Sequence, residues 1–253
     1  MWCNKRMSSN PDEPSRALFS PLYRQIKALL LESLERGEWR PGEAIPRELD
    51  LAARFRVSLG TVRKAIDELS AENLLIRRQG KGTFVATHST PQARFRFLRL
   101  RPLVDGQLYP ETRLIDCRRI RATAEVARLL ELKPGDGIIV LRRVLTFGGV
   151  PTVLEEISLP ATLFKGLSVG KVSQFHGSLY NLFETEFGTT MIRADERISA
   201  VAGNETAAEW LSIQPGAPLL CVERVTYTYG DRPVEVRQGL YRTDRHFYAN
   251  SLA

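Results

Sequence analysis

The chain contains few cysteines and histidines, which argues against two kinds of site. Its 253 residues include three cysteines, Cys3, Cys117 and Cys221, which lie far apart. An odd number of scattered cysteines is typical of reduced thiols, and it supports neither a disulfide framework nor a zinc site. The three histidines are equally dispersed. We therefore expect no metal ion and no cofactor.

The chain also lacks a long apolar run. Its apolar stretches are a few residues long, whereas a membrane-spanning helix needs ~20 apolar residues. The first fifteen residues, MWCNKRMSSNPDEPS, contain no apolar core and no cleavage site, so we expect a disordered polar tail over 1–15 and not a signal peptide. Together these features predict a cytoplasmic protein without a membrane partner.

The positive charge is unevenly distributed. The net charge is +7, yet residues 1–101 carry 19 Lys and Arg against 11 Asp and Glu, and the remainder carries 17 against 18. A basic first part is suited to a polyanion such as DNA. A basic surface that serves only solubility explains the charge equally well, so charge alone does not decide the function.

Three helices and a hairpin are predicted between residues 20 and 86. The segment that begins at Pro21 places apolar residues at helical spacing, a second helix covers about 46–55, and a third follows Ser58, a suitable N-cap. Two short helices joined by a tight turn form a helix-turn-helix pattern. The sequence LLIRRQGKGTFV then predicts two strands around a Gly-Lys-Gly turn.

These residues resemble the winged helix-turn-helix domain of the GntR family of transcription regulators. The matching positions are Ile45-Pro46, Glu48, Leu51-Ala52, Val57-Ser58, Thr61-Val62-Arg63, Ala65-Ile66 and Gly80–Val85. The resemblance implies a DNA-binding domain over 16–86 with these contacts to double-stranded operator DNA: Arg47, Thr61, Arg63, Lys64, Gly80, Lys81 and Gly82. The alternative for Arg63 is an ordinary solvated helix residue.

Two positions depart from the family pattern. Leu49 and Leu59 stand where the family usually has arginines that contact DNA. We therefore expect an operator sequence that differs from the one most common in the family.

The second part of the chain contains an internal repeat. AEVARLLELKPGDGIIVLRRV and ETAAEWLSIQPGAPLLCVERV each predict a short helix, a Pro-Gly turn and a strand, followed by a glycine-containing hairpin and a further strand. Two such copies predict an α+β unit with a mainly antiparallel sheet. Between the copies, an amphipathic helix is expected from Ser178, followed by a strand.

This part resembles the UTRA domain, the chorismate-lyase-like effector-binding domain of the HutC subfamily. The similarity rests on LKPGDGIIVLRRV, PTVLEE, LFKGL, Arg193–Glu196 and the segment from RPVEV to YRTDRHFY. It implies a UTRA domain over 94–253, joined by a polar linker at 87–93. The positions implied to contact a small-molecule effector are Arg143, Glu155, Ser178, Tyr180, Glu235 and Tyr241.

The chemistry of these residues narrows the chemical class of effector that we expect. Arg143 offers donors to an anion, and the two glutamates accept from hydroxyls or an amine. Members of the subfamily that bind phosphosugars usually have a second arginine at the position of Leu145. We therefore expect a carboxylate or an uncharged polar metabolite, with a phosphosugar less favoured. In the alternative, Arg143 pairs with Glu155 in the empty domain and the tyrosines are packing residues.

The resemblance as a whole predicts a homodimeric repressor that an effector releases from a near-palindromic operator. A transcription activator remains an alternative, as do an architectural DNA-binding protein and an enzyme acting on a small carboxylate. No nucleophile–base set, metal cluster or phosphate loop is evident in the sequence, so we expect no enzyme. Arg94, Arg96, Arg99 and Arg101 alternate with other residues in a predicted strand. They either contact DNA, complete the pocket or lie in solvent.

Overall fold

The structure is a computed structural model that describes residues 20–89, 97–104 and 109–250. The predicted tail over 1–15 lies outside these residues, as do Arg94 and Arg96 of the alternating arginine stretch.

The first part of the chain folds as three helices and a hairpin, as the sequence predicts. The elements are α1 (Leu22–Glu35), α2 (Glu48–Phe55), α3 (Leu59–Ala71), β1 (Leu75–Arg78) and β2 (Gly82–Val85). The side chain of Ser58 caps α3 by accepting a hydrogen bond from the Thr61 amide, which satisfies one of the free amides of the first turn. The β1–β2 hairpin turns at Gly80 and Gly82, whose positive φ angles of 69° and 107° favour glycine.

The core of this domain comes from one face of each helix. Leu51 of α2 and Val62, Ile66 and Leu69 of α3 are completely buried, and they join Leu30 of α1 in one cluster. These positions are the apolar members of the helical spacing, so the pattern that predicted the helices also defines the packing.

The second part of the chain consists of a six-stranded antiparallel sheet with four short helices, together with a separate two-stranded sheet. Its elements are β3 (Leu100–Pro102), β4 (Glu111–Arg121), α4 (Ala124–Leu129), β5 (Gly137–Phe147), β6 (Val150–Pro160), α5 (Val169–Gln174), α6 (Leu179–Phe187), β7 (Arg193–Ala202), α7 (Glu205–Leu211), β8 (Pro218–Tyr227), β9 (Pro233–Tyr241) and β10 (His246–Tyr248). The order in the large sheet is β4-β5-β6-β9-β8-β7, and β3 pairs with β10.

The strand order confirms the internal repeat. Each copy supplies two antiparallel strands, β5–β6 and β8–β9, with β4 or β7 preceding its helix, and the last strands of the two copies, β6 and β9, pair at the centre of the sheet. In each copy alone, the last strand would have unpaired backbone groups along one edge. Pairing β6 with β9 satisfies the groups on both of these edges.

The two faces of the sheet are covered differently. On one face, α6 packs Leu182 and Phe183 against Leu141 and Ile157 of the sheet. On the other face, α4 and α7 cover two smaller apolar clusters, one from each copy of the repeat. Because side chains alternate between the faces of a strand, the residues that point toward α6 form the floor of the site described below.

The two parts of the chain are in contact. Tyr229, at the turn between β8 and β9, packs with Ile192 against the core of the helical domain. Burial raises the pKa of Tyr229 to about 12, and the nearby Glu184 carboxylate adds to this shift. Thr87 and His88, in the predicted linker, are also buried.

The described residues contain neither a membrane-spanning helix nor a group of side chains suited to a metal ion. None of the helices there is long and apolar enough to cross a membrane. Across residues 20–89, 97–104 and 109–250, no three side chains of the His, Cys, Asp and Glu types are grouped so that they could hold a metal ion.

Two leucines of α2 give the first prediction. Leu51 is completely buried and Leu49 is 67% exposed. We expect Leu51→Ala to lower the free energy of unfolding of the helical domain by about 2–5 kcal/mol, because it removes buried methyl groups and leaves a cavity. Leu49→Ala is the control and should change it by less than about 0.5 kcal/mol. Urea unfolding of the full chain, monitored by hydrogen exchange of the helix amides, measures the free energy of unfolding of both variants. Equal changes in Leu51→Ala and Leu49→Ala would contradict the different burial of the two side chains.

Candidate functional site

The first candidate site is the exposed surface formed by the start of α3, the start of α2 and the hairpin turn. Arg63 lies on the exposed face of α3, Arg47 is exposed at the N-cap of α2, and Thr61 is half-buried in the first turn of α3. Gly80, Lys81 and Gly82 are exposed at the hairpin turn. A helix presented in this way fits the major groove of DNA, and a basic turn fits phosphates.

The arginines of this surface are held by exposed ion pairs. Arg63 Nε lies 3.0 Å from Glu48, and Arg77 reaches both Glu48 at 2.9 Å and Asp67 at 2.6 Å. Arg63 is 56% exposed, and exposed pairs of this kind contribute ~0–1 kcal/mol. Arg63 can therefore leave Glu48 for a base or a phosphate at little cost.

Two further residues complete this surface. Leu49 is exposed in the first turn of α2, where it offers no hydrogen-bond donor to a base. The Lys64 ammonium lies 4.0 Å from the centre of the Tyr23 ring, which is within the range of a cation–π contact.

The second candidate site is a cavity of about 480 Å³ between the sheet and helices α5 and α6. This volume lies within the ~300–1,000 Å³ typical of small-molecule sites. Its polar side chains include Arg143, Glu155, Ser178, Tyr180, Arg224 and Arg237, and its apolar ones include Phe97, Leu114, Leu141, Val172 and Phe175.

A chain of buried ion pairs crosses the floor of this pocket. Glu155 of β6 lies 2.6 Å from Arg143 of β5 and 3.0 Å from Arg237 of β9. Arg237 also pairs with Glu235 at 3.0 Å, and Glu235 accepts a hydrogen bond of 2.8 Å from the Tyr180 hydroxyl. Arg143 is the most exposed member, at 12%, so it faces the space that a ligand would occupy.

The arginines dominate the electrostatics of Glu155. Burial alone would raise the pKa of this carboxyl, yet the guanidinium groups of Arg143 and Arg237 lower it from its usual 4.5 to about 2. Glu155 is therefore ionised at neutral pH and can accept hydrogen bonds only.

Arg224 forms a second buried group beside the first. Its guanidinium pairs with Glu196 of β7 at 2.5 Å and donates to the backbone oxygen of Phe97 at 2.5 Å. The Phe97 ring makes an edge contact with the Tyr180 ring, with 5.7 Å between the ring centres. The wall around Tyr180 is thus built from residues at both ends of the second domain.

The structure places four of the six predicted effector positions at the cavity, a fifth directly behind it and the sixth in a different cluster. Arg143, Glu155, Ser178 and Tyr180 line the cavity, and Ser178 also caps α6 by accepting from the Asn181 amide. Glu235 is completely buried behind Arg237 and Tyr180. Tyr241 is buried in a separate apolar cluster with Leu98 and Leu145.

Sequence reasoning did not assign Arg224 and Arg237 to the site. The signal for Arg224 was present, because the repeat aligns Arg224-Val225 with Arg143-Val144. The signal for Arg237 was weaker: it is a charged residue at an inward position of the alternating β9 strand, two residues after Glu235. Both arginines lie opposite each other in the β8–β9 register.

Comparison with known families gives two matches that together span the described domains. Residues 22–85 match the family described as "Bacterial regulatory proteins, gntR family". Residues 106–246 match the UTRA domain.

Individual relatives agree with these matches. The chain is 31% identical to the transcriptional repressor NagR of Bacillus subtilis over 92% of this chain and 95% of that protein. It is 28% identical to a fructoselysine utilization operon repressor of Escherichia coli K12, over 88% of this chain and 91% of that one. A ligand-binding domain of a GntR-family regulator from Bordetella bronchiseptica is 49% identical, with a TM-score of 0.61, and covers 63% of this chain and 99% of its own.

The ion-pair chain gives the second prediction. We expect Glu155→Gln to lower the free energy of unfolding by about 3–5 kcal/mol, because it leaves the Arg143 guanidinium without a counter-charge and removes one of the two carboxylates that pair with Arg237. Glu156→Gln is the matched control on the same strand, because Glu156 and its partner Arg142 are both exposed. This variant should lower the free energy of unfolding by less than about 1 kcal/mol. Urea unfolding at neutral pH distinguishes the two variants.

The same carboxyl predicts a dependence on pH. Because its pKa in the folded protein is below the usual value, its stabilising effect is complete above about pH 4.5 and is lost as pH falls toward 2. A shift of this size corresponds to about 3 kcal/mol. Glu155→Gln should lack this part of the acid dependence. An unchanged dependence in the variant would contradict the assignment.

Proposed function

The chain belongs to the GntR family of bacterial regulatory proteins and carries a UTRA domain, and on this basis we propose that it is a repressor which a small-molecule effector releases from its operator. The observation that carries the proposal is the combination of an exposed, basic helix-turn-helix surface with a polar pocket in the same chain. The relatives named above are transcription regulators and not enzymes. Two of them carry the name of repressor, NagR and, as a probable repressor, the Escherichia coli K12 protein, which favours repression over activation.

Operator binding places Arg47, Thr61, Arg63, Lys64 and the turn Gly80–Gly82 against DNA. Thr61 and Arg63 lie on the first turns of α3, where the base edges of the major groove are in reach. We propose a homodimer, because two copies related by a twofold axis would bind a near-palindromic site. A repressor of this kind acts in the cytoplasm, where the chromosome is.

Arg63 gives the third prediction. In DNA selected from a random pool by the unmodified chain, we expect two symmetric half-sites. Arg63→Ala should then weaken binding to this DNA by about 1–3 kcal/mol, because it removes a donor pair from a base edge. Arg36→Ala is the control, since Arg36 is an exposed arginine at the end of α1, and it should bind nearly as tightly as the unmodified chain. Fluorescence anisotropy at fixed salt measures both variants.

Two results would count against this DNA interface. One is equal loss of affinity in the two arginine variants, which would indicate a general electrostatic effect. The other is a selected sequence without symmetry, which would argue against the homodimer.

The pocket favours an effector of low net charge. Three arginines that line the cavity, Arg143, Arg224 and Arg237, are each paired with a carboxylate: Glu155, Glu196 and Glu235. These pairs are neutral together, and Arg113, which also lines the cavity and lies over the Trp210 ring, adds one positive charge. A single positive charge suits a carboxylate better than a phosphate, which carries about −1.5 to −2 at neutral pH. A carboxylate or zwitterion that also offers hydroxyls can exchange hydrogen bonds with Arg143, Glu155 and Ser178 without leaving a buried charge unpaired.

One relative is named for fructoselysine utilization, and the chemistry of that compound fits the pocket. Fructoselysine combines a carboxylate, amines and sugar hydroxyls. We propose that the effector belongs to this class of polyhydroxylated carboxylates, with the carboxylate on Arg143 and amine or hydroxyl groups on Glu155.

Thermal unfolding gives the fourth prediction. Fructoselysine or D-gluconate should raise the unfolding temperature, by about 5–10 °C when its concentration is about 100 times Kd. Glucose 6-phosphate should have no such effect. In Arg143→Met, the ligand should raise the unfolding temperature less, by the amount that an at least tenfold weaker affinity would give. The reason is that a charge-assisted hydrogen bond contributes about 1.5–3 kcal/mol. Arg142→Met is the control, because Arg142 is a half-exposed neighbour that pairs with Glu156.

The panel also has outcomes that reject the proposed class. Stabilisation by glucose 6-phosphate alone would show that the pocket selects a phosphate. Equal losses in the two arginine variants would place the ligand elsewhere. Unchanged ligand recovered from the protein distinguishes a sensor from an enzyme that consumes a small carboxylate.

A further inference from the structure

The segment that leaves the winged helix is docked on the UTRA domain. Thr87 and His88 follow β2 by two and three residues, and they are 8% and 4% exposed. The last ladder contact of the hairpin is made just before them, where the Ala86 amide donates to the Leu74 oxygen at 2.9 Å. A movement at Thr87 and His88 is therefore passed directly to the hairpin that faces DNA.

Glu184 of α6 holds this segment. Its carboxylate accepts a hydrogen bond from the Thr87 hydroxyl and another, of 3.1 Å, from the His88 amide. The carboxylate is buried, and burial raises its pKa, which the two hydrogen bonds partly offset. We call Thr87, His88 and Glu184 the linker clasp.

The clasp touches the effector pocket through one ring. The centre of the His88 imidazole lies 5.4 Å from the centre of the Tyr180 ring, in an edge-to-face arrangement. Tyr180 lines the cavity and donates its hydroxyl to Glu235. On its other side, His88 Nε2 donates to the Met191 oxygen at 2.9 Å, so the imidazole is fixed between the pocket wall and the backbone before β7.

Glu184 and Tyr180 lie four residues apart on α6 and therefore share one face of this helix. A ligand that moves Tyr180 must move either the imidazole of His88 or the α6 helix that carries Glu184. Both movements act on the linker clasp. Interiors packed in this way switch between discrete arrangements and do not deform continuously.

From these contacts we infer that the linker clasp is the coupling element of the protein: it transmits occupancy of the pocket from Tyr180 to the winged helix. The inference rests on the proposed function, because it supplies the route by which an effector changes operator binding. Thr87, His88 and Glu184 act as positioning residues and do not touch DNA or the effector. The differential contact that coupling requires is the His88–Tyr180 ring pair, which a ligand at Tyr180 alters.

The first test needs no effector. Hydrogen exchange of amides 83–89 is measured in the full chain with Tyr180→Leu, Tyr180→Phe and Phe164→Leu. Tyr180→Leu removes the ring that packs on His88, and we expect exchange to be at least tenfold faster. Tyr180→Phe keeps the ring and should retain protection. Phe164→Leu removes another buried ring from the apolar cluster that contains Tyr180. It therefore controls for a general loss of packing.

The second test measures coupling with fructoselysine as the probe. The Kd for operator DNA is compared with and without about 10 mM fructoselysine. This concentration is on the order of 100-fold above a fructoselysine Kd of about 0.1 mM. In the unmodified chain we expect the probe to weaken operator binding by about 5–150-fold. Glu184→Leu and the milder Thr87→Val should bring this ratio toward one while the probe still raises the unfolding temperature. Glu186→Leu, on the exposed side of the same helix, should behave like the unmodified chain.

The outcomes separate the inference from the function on which it rests. A full coupling ratio in Glu184→Leu overturns the linker clasp while leaving the effector-released repressor intact. Absence of both stabilisation and release in the unmodified chain rejects fructoselysine as an effector, and the hydrogen-exchange test then decides the clasp alone. Equal exchange in Tyr180→Leu and Tyr180→Phe overturns the clasp, whatever the probe does.

Discussion

The arrangement of the second domain depends on the ion pair between Glu155 and Arg237. Glu155 belongs to the last strand of the first repeat and Arg237 to the last strand of the second, and these strands meet at the centre of the sheet. Both side chains are more than nine-tenths buried. Each side chain also has a partner in its own copy, Arg143 for Glu155 and Glu235 for Arg237, so this ion pair joins two buried pairs into one network across the joint. The joint between the copies is therefore also the floor of the pocket.

The ion pairs at this joint explain why the pocket is polar although it lies against the buried face of the sheet. Replacing a buried ion pair by apolar residues is often neutral or stabilising, so stability alone does not account for Arg143, Glu155, Arg237 and Glu235. They do provide a set of fixed donors and acceptors that already pair with one another. A ligand can enter only by offering equivalent partners, and this requirement is a source of selectivity.

The sequence predicts the architecture well because that architecture follows from local patterns. Helical spacing gives α1–α3 and the cap Ser58, and the repeat gives the strand pairs β5–β6 and β8–β9 of the sheet. The sequence does not predict what depends on pairing between distant segments. Arg237 meets Glu155 across 82 residues and Thr87 meets Glu184 across 97. No local pattern indicates that residues in an apparently polar linker are buried against a helix of the next domain.

Exposure separates the roles of two arginines that both pair with a glutamate. Arg63 is 56% exposed beside Glu48, whereas Arg143 is 12% exposed beside Glu155. The first pair lies in water, so its loss costs ~0–1 kcal/mol, and DNA can replace the glutamate through many equivalent contacts. The second pair is largely removed from water, so only a ligand that restores its hydrogen bonds can rearrange it. Under the proposed function, the same pair of residue types thus lets Arg63 exchange its partner for DNA at one site and demands a specific small molecule at the other.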